Sequence, residues 1–330
     1  MSHCYTHFRG FCFAAAMAAF VSAGAATTFA ADGVSIAEKD GKLRVEINGE
    51  LFTEYHYQDV SRPFLYPVLG PSGVAMTRNW PIKTVPGEDH DHPHQKSLWW
   101  AHGAINGVDF WSETAKAGRT VHDKFLAVTS GPDTGVIKSL NKLVTKDGQV
   151  LGTLEFTITF YSHKDGRTMD WETRVLADEG DLKFGDTKEG TMGMRLAESM
   201  RLQPNKENVG KPTGHIVNSE GVRDGATWGK RAKWVDYYGP VEGQLVGVAM
   251  FDNPANPRYP TWWHVRDYGL FAANPFGIRE FDRNAKETGE LTVPKGQSLD
   301  FKYRFYFHRG DEKEAKVADH YAEYLREGSK

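Results

Sequence analysis

Leu299-Asp300-Phe301-Lys302-Tyr303-Arg304-Phe305 sets an apolar or aromatic side chain at every odd position and a charged one at every even position. A period of two sends the first set to one face of a strand and the second to the other, so the stretch reads as a β-strand with one buried face. The same signature recurs upstream. Residues 42–47 alternate and run into an Asn48-Gly49 turn, after which 51–57 continues extended. Residues 125–130, 135–145, 150–161 and 168–176 follow one another across turns rich in Gly, Pro, Asp and Lys. Further strands are expected at 192–200, 244–251, 268–273 and 298–308. Only 311–326 reads as a long helix, with Ala315, Ala318, Tyr321, Tyr324 and Leu325 on one side. The pattern predicts a mostly β chain, a large antiparallel β-sandwich with a C-terminal helix, as a single domain over residues 32–330.

The composition excludes several classes. With 40 Lys and Arg against 43 Asp and Glu, the 330 residues carry a formal charge of −3, which gives no electrostatic reason to expect nucleic acid. No segment pairs a strand with a Gly-rich phosphate loop, so a Rossmann or P-loop enzyme is not indicated, and no Gly-x-Ser-x-Gly elbow supports a serine hydrolase. Residues 1–31 hold one Arg, no Asp or Glu, an apolar run from Phe11 to about Ala26 and a small-x-small site near Ala30-Ala31. That is the form of a secretory signal, and its removal predicts a periplasmic or extracellular protein without a membrane span. Both cysteines, Cys4 and Cys12, lie within it, so the mature chain is expected to have no disulfide and no sulfur ligand.

Nine Trp and thirteen His mark where chemistry is to be sought. Asp89-His90-Asp91-His92-Pro93-His94-Gln95-Lys96 leads into Trp99-Trp100-Ala101-His102-Gly103. If extended, it projects His90, His92 and His94 to one side. Such imidazoles can hold a divalent metal, here through His90 and His92, or supply a general acid or base; a solvated His-rich loop is the plain alternative. Residues 252–266 form a proline-stiffened loop carrying Arg258, His264 and Arg266, where the arginines suit a carboxylate or sulfate and His264 a second proton-transfer role. Glu198 shares the face of Leu196 and Met200 in the expected strand, which is costly unless it is paired or used. Asp236 is comparable. Indole faces suit a pyranose ring, so Trp99 and Trp100 are candidate sugar platforms.

The segments 90–103, 234–237, 252–260 and 270–277 resemble a bacterial family of unknown function labelled PmoA-like, or methane oxygenase-like. The label does not suit this chain, because a membrane-embedded methane monooxygenase subunit crosses the bilayer several times. The resemblance implies bacteria that degrade complex polysaccharides. Its layout is similar to the galactose-mutarotase-like sandwiches shared by epimerases, lyases and some glycosidases. On that analogy His94 and His102 take a first acid–base role and His264 or Glu198 a second. Trp99, Trp100, Arg258, Arg266, Asn274 and Asp236 would hold a sugar. The expectation is His-based acid–base chemistry on a carbohydrate, with no cofactor beyond the metal alternative. A noncatalytic carbohydrate-binding protein is the rival.

Overall fold

The alternation over 299–305 is realised as the middle of a twelve-residue strand, Ser298–Arg309, with Phe301, Phe305 and Phe307 fully buried. The computed structural model describes residues 1–3, 32–163, 167–206 and 213–327. Its contacts divide the chain into Met1–Ala31 and Asp32–Lys330. From residue 4 onward the expected leader lies outside the described residues.

Within Asp32–Lys330 two eight-stranded sheets are built from antiparallel ladders. The first runs Val34–Lys39, Lys42–Ile47, Glu50–His56, Phe64–Val68, Leu98–His102, Gly190–Arg195, Leu270–Asn274, Trp262–Val265 in spatial order. The second runs His215–Asn218, Trp234–Val241, Gln244–Asp252, Ser298–Arg309, Arg167–Leu176, Val150–Tyr161, Thr134–Val144, Arg119–Thr129. Their inner faces meet through aromatic side chains. Phe52 of the first sheet lies edge-on to Phe160 and Phe307 of the second, with ring centres 5.8 and 5.6 Å apart. Each such buried ring contributes roughly 1.5–3 kcal/mol. The mostly β, antiparallel architecture is therefore the expected one. Among the described residues no helix is long and apolar enough to cross a membrane.

Two elements differ from expectation. The C-terminal helix spans Val317–Glu327, because Lys316 has a left-handed backbone (φ 51°) and residues 312–316 form turns instead. Val317, Tyr321 and Tyr324 then cover Trp234, Phe251 and Tyr306 on the outer face of the second sheet. The strand expected over 192–200 ends at Arg195, and Glu198 opens a 3-10 turn, Glu198–Met200.

The outer face of the first sheet is covered by loops. Phe64, Trp99, Ala101, Leu270 and Ala272 pack there with Trp111 of the 103–118 loop. Gly193 makes room for both indoles: a Cβ at that position would stand 2.9 Å from Trp99 and 3.1 Å from Trp111.

Candidate functional site

The His-rich segment is neither a strand nor free in solvent. His92 has a left-handed backbone (φ 41°), and the Gln95 amide closes a turn by donating to the His92 carbonyl at 3.0 Å. The three imidazoles therefore do not share one side. What fixes this loop is a set of buried arginines from elsewhere in the chain. Arg78 donates to the carbonyls of Asp91 and His92 at 3.0 and 3.1 Å and pairs with the Asp91 carboxylate. Arg195, at the end of the Gly190–Arg195 strand, reaches Asp91 at 3.1 Å and the side chain of Gln95. Arg201 bridges Asp89 and Glu198, both at 2.7 Å. Burial works against the charge of Asp91, but bonds to His92 and Arg78 and the Arg195 charge hold its pKa well below the usual carboxylate range.

Thus anchored, the loop lays the His92 ring flat on Tyr268, with centres 5.1 Å apart and planes 7° off parallel. His94 stands edge-on to His92 at 5.7 Å. Tyr268 in turn lies beneath two guanidinium groups, Arg195 at 4.8 Å and Arg266 at 5.5 Å. Arg266 also approaches Trp228 at 5.7 Å. Arg266 follows directly on the strand that carries His264, and its amide donates to the Leu270 carbonyl at 2.7 Å, which continues the ladder and leaves its side chain on the face of His264.

His264 is buried, and its Nδ1 lies 2.9 Å from the Lys188 carbonyl. A carbonyl only accepts, so Nδ1 carries the proton and Nε2 keeps its lone pair. Nε2 has no protein partner among the described residues. Burial, then the charges of Lys188 and Arg266, lower the His264 pKa to about 3, and His92 adds to the same effect. His94 is lowered to about 4, by burial first and then by Arg62 and His92. Both are neutral bases at ordinary pH. Burial raises the Tyr268 phenol, while Gln95, Arg195 and Arg266 pull it back. The structure therefore brings together His92, His94, His264 and Arg266 of the expected residues, and adds Trp228, one of the nine indoles, and Tyr268, which sequence reasoning passed over.

The other expected residues serve elsewhere. Trp100 points into the core between the sheets, against Phe156 and Phe301, and Trp99 is sealed under Trp111; neither has a face for a ligand. His102 shares the inner parity of Trp100, is enclosed by Phe184 and Phe276, and lies 2.9 Å from the Gly185 carbonyl. Arg258 spends its guanidinium on the carbonyls of Pro275, Gly289 and Glu290 at 2.7–2.8 Å, stapling loops instead of gripping an anion. Asn274 is buried between the Thr187 carbonyl and the Phe276 amide. Glu198 balances the arginines of the anchor, 3.8 Å from Arg78 and 3.6 Å from Arg195. Asp236 belongs to the other sheet, paired at 2.9 Å with His308 on the face that the C-terminal helix covers.

The metal alternative finds no support, since no group of three His, Cys, Asp or Glu able to hold an ion occurs among the described residues. His90 stacks on Trp80 at 4.1 Å, and His92 Nδ1 faces Asp91 at 2.8 Å, so the two imidazoles engage different partners.

No curated protein matches this chain. Among solved structures it is similar to an α-galactosidase from Lactobacillus brevis, at 8% identity over 84% of this chain with a TM-score of 0.41. The chain spans 39% of that enzyme's length. It is also similar to a galactose mutarotase-like protein from Clostridium acetobutylicum, at 10% identity over 83% of this chain and 95% of that one, TM-score 0.34. A putative aldose 1-epimerase from Escherichia coli K12 aligns at 10% identity over 84% and 99% of the two chains, TM-score 0.31. One family model runs through both the His-rich loop and the loop bearing His264 and Arg266, matching residues 42–322, and its description names neither a methane oxygenase nor an activity. The chain belongs to that family, the family of unknown function DUF6807.

Proposed function

We propose that this is an exported protein that acts on a carbohydrate by acid–base chemistry at the surface formed by His92, His94, His264, Arg266 and Tyr268. One observation carries the reading: His264 is fixed by the Lys188 carbonyl with its Nε2 lone pair unspent, on the face where His92 and His94 arrive from a distant loop. A neutral imidazole in that state accepts a proton from a hydroxyl or an activated C–H. The phenol of Tyr268 is the donor of opposite function. The half-buried indole of Trp228 offers an apolar face for a sugar ring, in place of the indoles of Trp99 and Trp100. Export is supported by the leader-like residues 1–31. The noncatalytic reading draws on the low basicity of both imidazoles, which a purely binding surface tolerates.

The test is a screen of neutral and uronic oligosaccharides read by mass spectrometry and ultraviolet absorbance. An unchanged mass with a new stereoisomer identifies an epimerase, a gain of one water a hydrolase, and new absorbance from unsaturation a lyase. His264→Ala is expected to abolish turnover while the sugar is still retained. Retention without turnover in the unaltered protein refutes catalysis. Turnover that survives both His264→Ala and His94→Ala refutes this site.

A further inference from the structure

Arg266 stands apart from the other arginines. Every other buried or half-buried arginine among the described residues donates hydrogen bonds to carboxylates, amides or carbonyls, as Arg62, Arg167, Arg258 and Arg304 show. Arg266 is half-buried, makes contact with the rings of Tyr268 and Trp228, and has no hydrogen-bond acceptor or acidic partner for its side chain among the described residues. A guanidinium carries five N–H donors in a rigid fork. Partial burial without an acceptor leaves that fork poorly solvated, and the two rings restrict where it can turn. The nearby cation Lys188 is already paired with Glu189, so its charge is met. Arg266 is therefore the cation beside His264 that lacks an acidic partner among the described residues.

We infer that Arg266 is a carboxylate subsite, so that the ligand of this surface is an acidic sugar whose ring carboxylate is held by the Arg266 fork. The inference rests on the carbohydrate reading above and names the substrate class within it. A planar carboxylate fits the fork with two parallel hydrogen bonds, which a hydroxyl cannot do. A single guanidinium matches a single negative charge. The occupied subsite also removes one of the charges that suppress proton binding at His264, making that imidazole a better base once the ligand is bound.

The experiment titrates the full chain by calorimetry with trimers of galacturonate, glucuronate and mannuronate, each beside its fully methyl-esterified form. Esterification keeps the sugar and removes the charge. Arg266→Gln and Arg266→Lys follow, with thermal unfolding to establish that each variant is folded. The acid form of at least one trimer is expected to bind about tenfold or more tightly than its ester. Arg266→Gln is expected to erase that preference and Arg266→Lys to keep part of it. Equal binding of acid and ester, which needs no variant, overturns the carboxylate subsite and leaves the carbohydrate reading standing. A preference that persists in Arg266→Gln overturns the assignment to this residue. Tighter binding of a sulfated than a carboxylated trimer overturns the choice of anion, and no binding by any saccharide overturns both readings.

Discussion

The imidazoles held neutral in this fold set a pH dependence whose size follows from their burial. His102 and His264 are lowered by burial to about 4 and about 3, and half-buried His94 to about 4, against an ordinary value of 6.5. In the interval between, the unfolded chain binds more protons than the folded one, so acid favours unfolding. The stability is intact above 6.5 and is lost as pH falls toward 4. Moving from about pH 7.5 to about pH 5 crosses about 1.5 units of that interval, costing about 2 kcal/mol each for His102 and His264. Half-exposed His94 adds about 1 kcal/mol after screening. The three imidazoles together come to about 5 kcal/mol. His308 acts in the opposite sense. Burial lowers its pKa, but Asp236 outweighs burial and raises it, so this pair returns part of the loss in acid. Asp252, whose carboxyl burial raises to about 7, likewise takes up a proton in the folded state and returns about 3 kcal/mol. Urea denaturation followed by tryptophan fluorescence at the two pH values measures the difference. His264→Asn, whose amide can still donate to the Lys188 carbonyl, is expected to shrink it by about 2 kcal/mol. An unchanged difference in His264→Asn refutes the assignment of a neutral, buried His264.

Two further outcomes separate structure from site. Trp100→Ala is expected to destabilise the fold by about 3–5 kcal/mol in thermal or urea unfolding, with unchanged sugar affinity in the folded protein, because the indole is shared between the sheets. Selective loss of affinity at unchanged stability would restore its role as a sugar platform. Asp236→Ala, which strands His308 in a buried setting, is expected to cost about 3–5 kcal/mol of stability without altering turnover. Lost turnover at unchanged stability would place the Asp236–His308 pair in the chemistry.

The strands were legible because alternation is a local signal, and 154–160 and 299–305 carry it without interruption. Glu198 was misplaced because the apolar face of Leu196 and Met200 continues through a turn as readily as through a strand, and nothing local marks where the ladder stops after Arg195. Trp99 and Trp100 were misread because an indole that stacks on a sugar and one that fills a core look alike in sequence; Gly193, which admits Trp99 and Trp111, lies far along the chain. His264 and Arg266 were picked out by residue type alone, an imidazole and a guanidinium in one proline-stiffened loop. Tyr268 was not, since its importance comes from the arginine above it and the histidine laid on it, both set by tertiary contacts.

The knot of Arg78, Arg195 and Arg201 with Asp89, Asp91 and Glu198 bears on how relatives are to be recognised. The shape of the His loop is written partly in residues about a hundred positions downstream, so the loop transplanted alone would arrive without its template. A search keyed on the histidines would gather many unrelated metal-tag-like segments. One keyed on the three cations and three anions together would select chains able to reproduce this geometry, whatever imidazoles they carry.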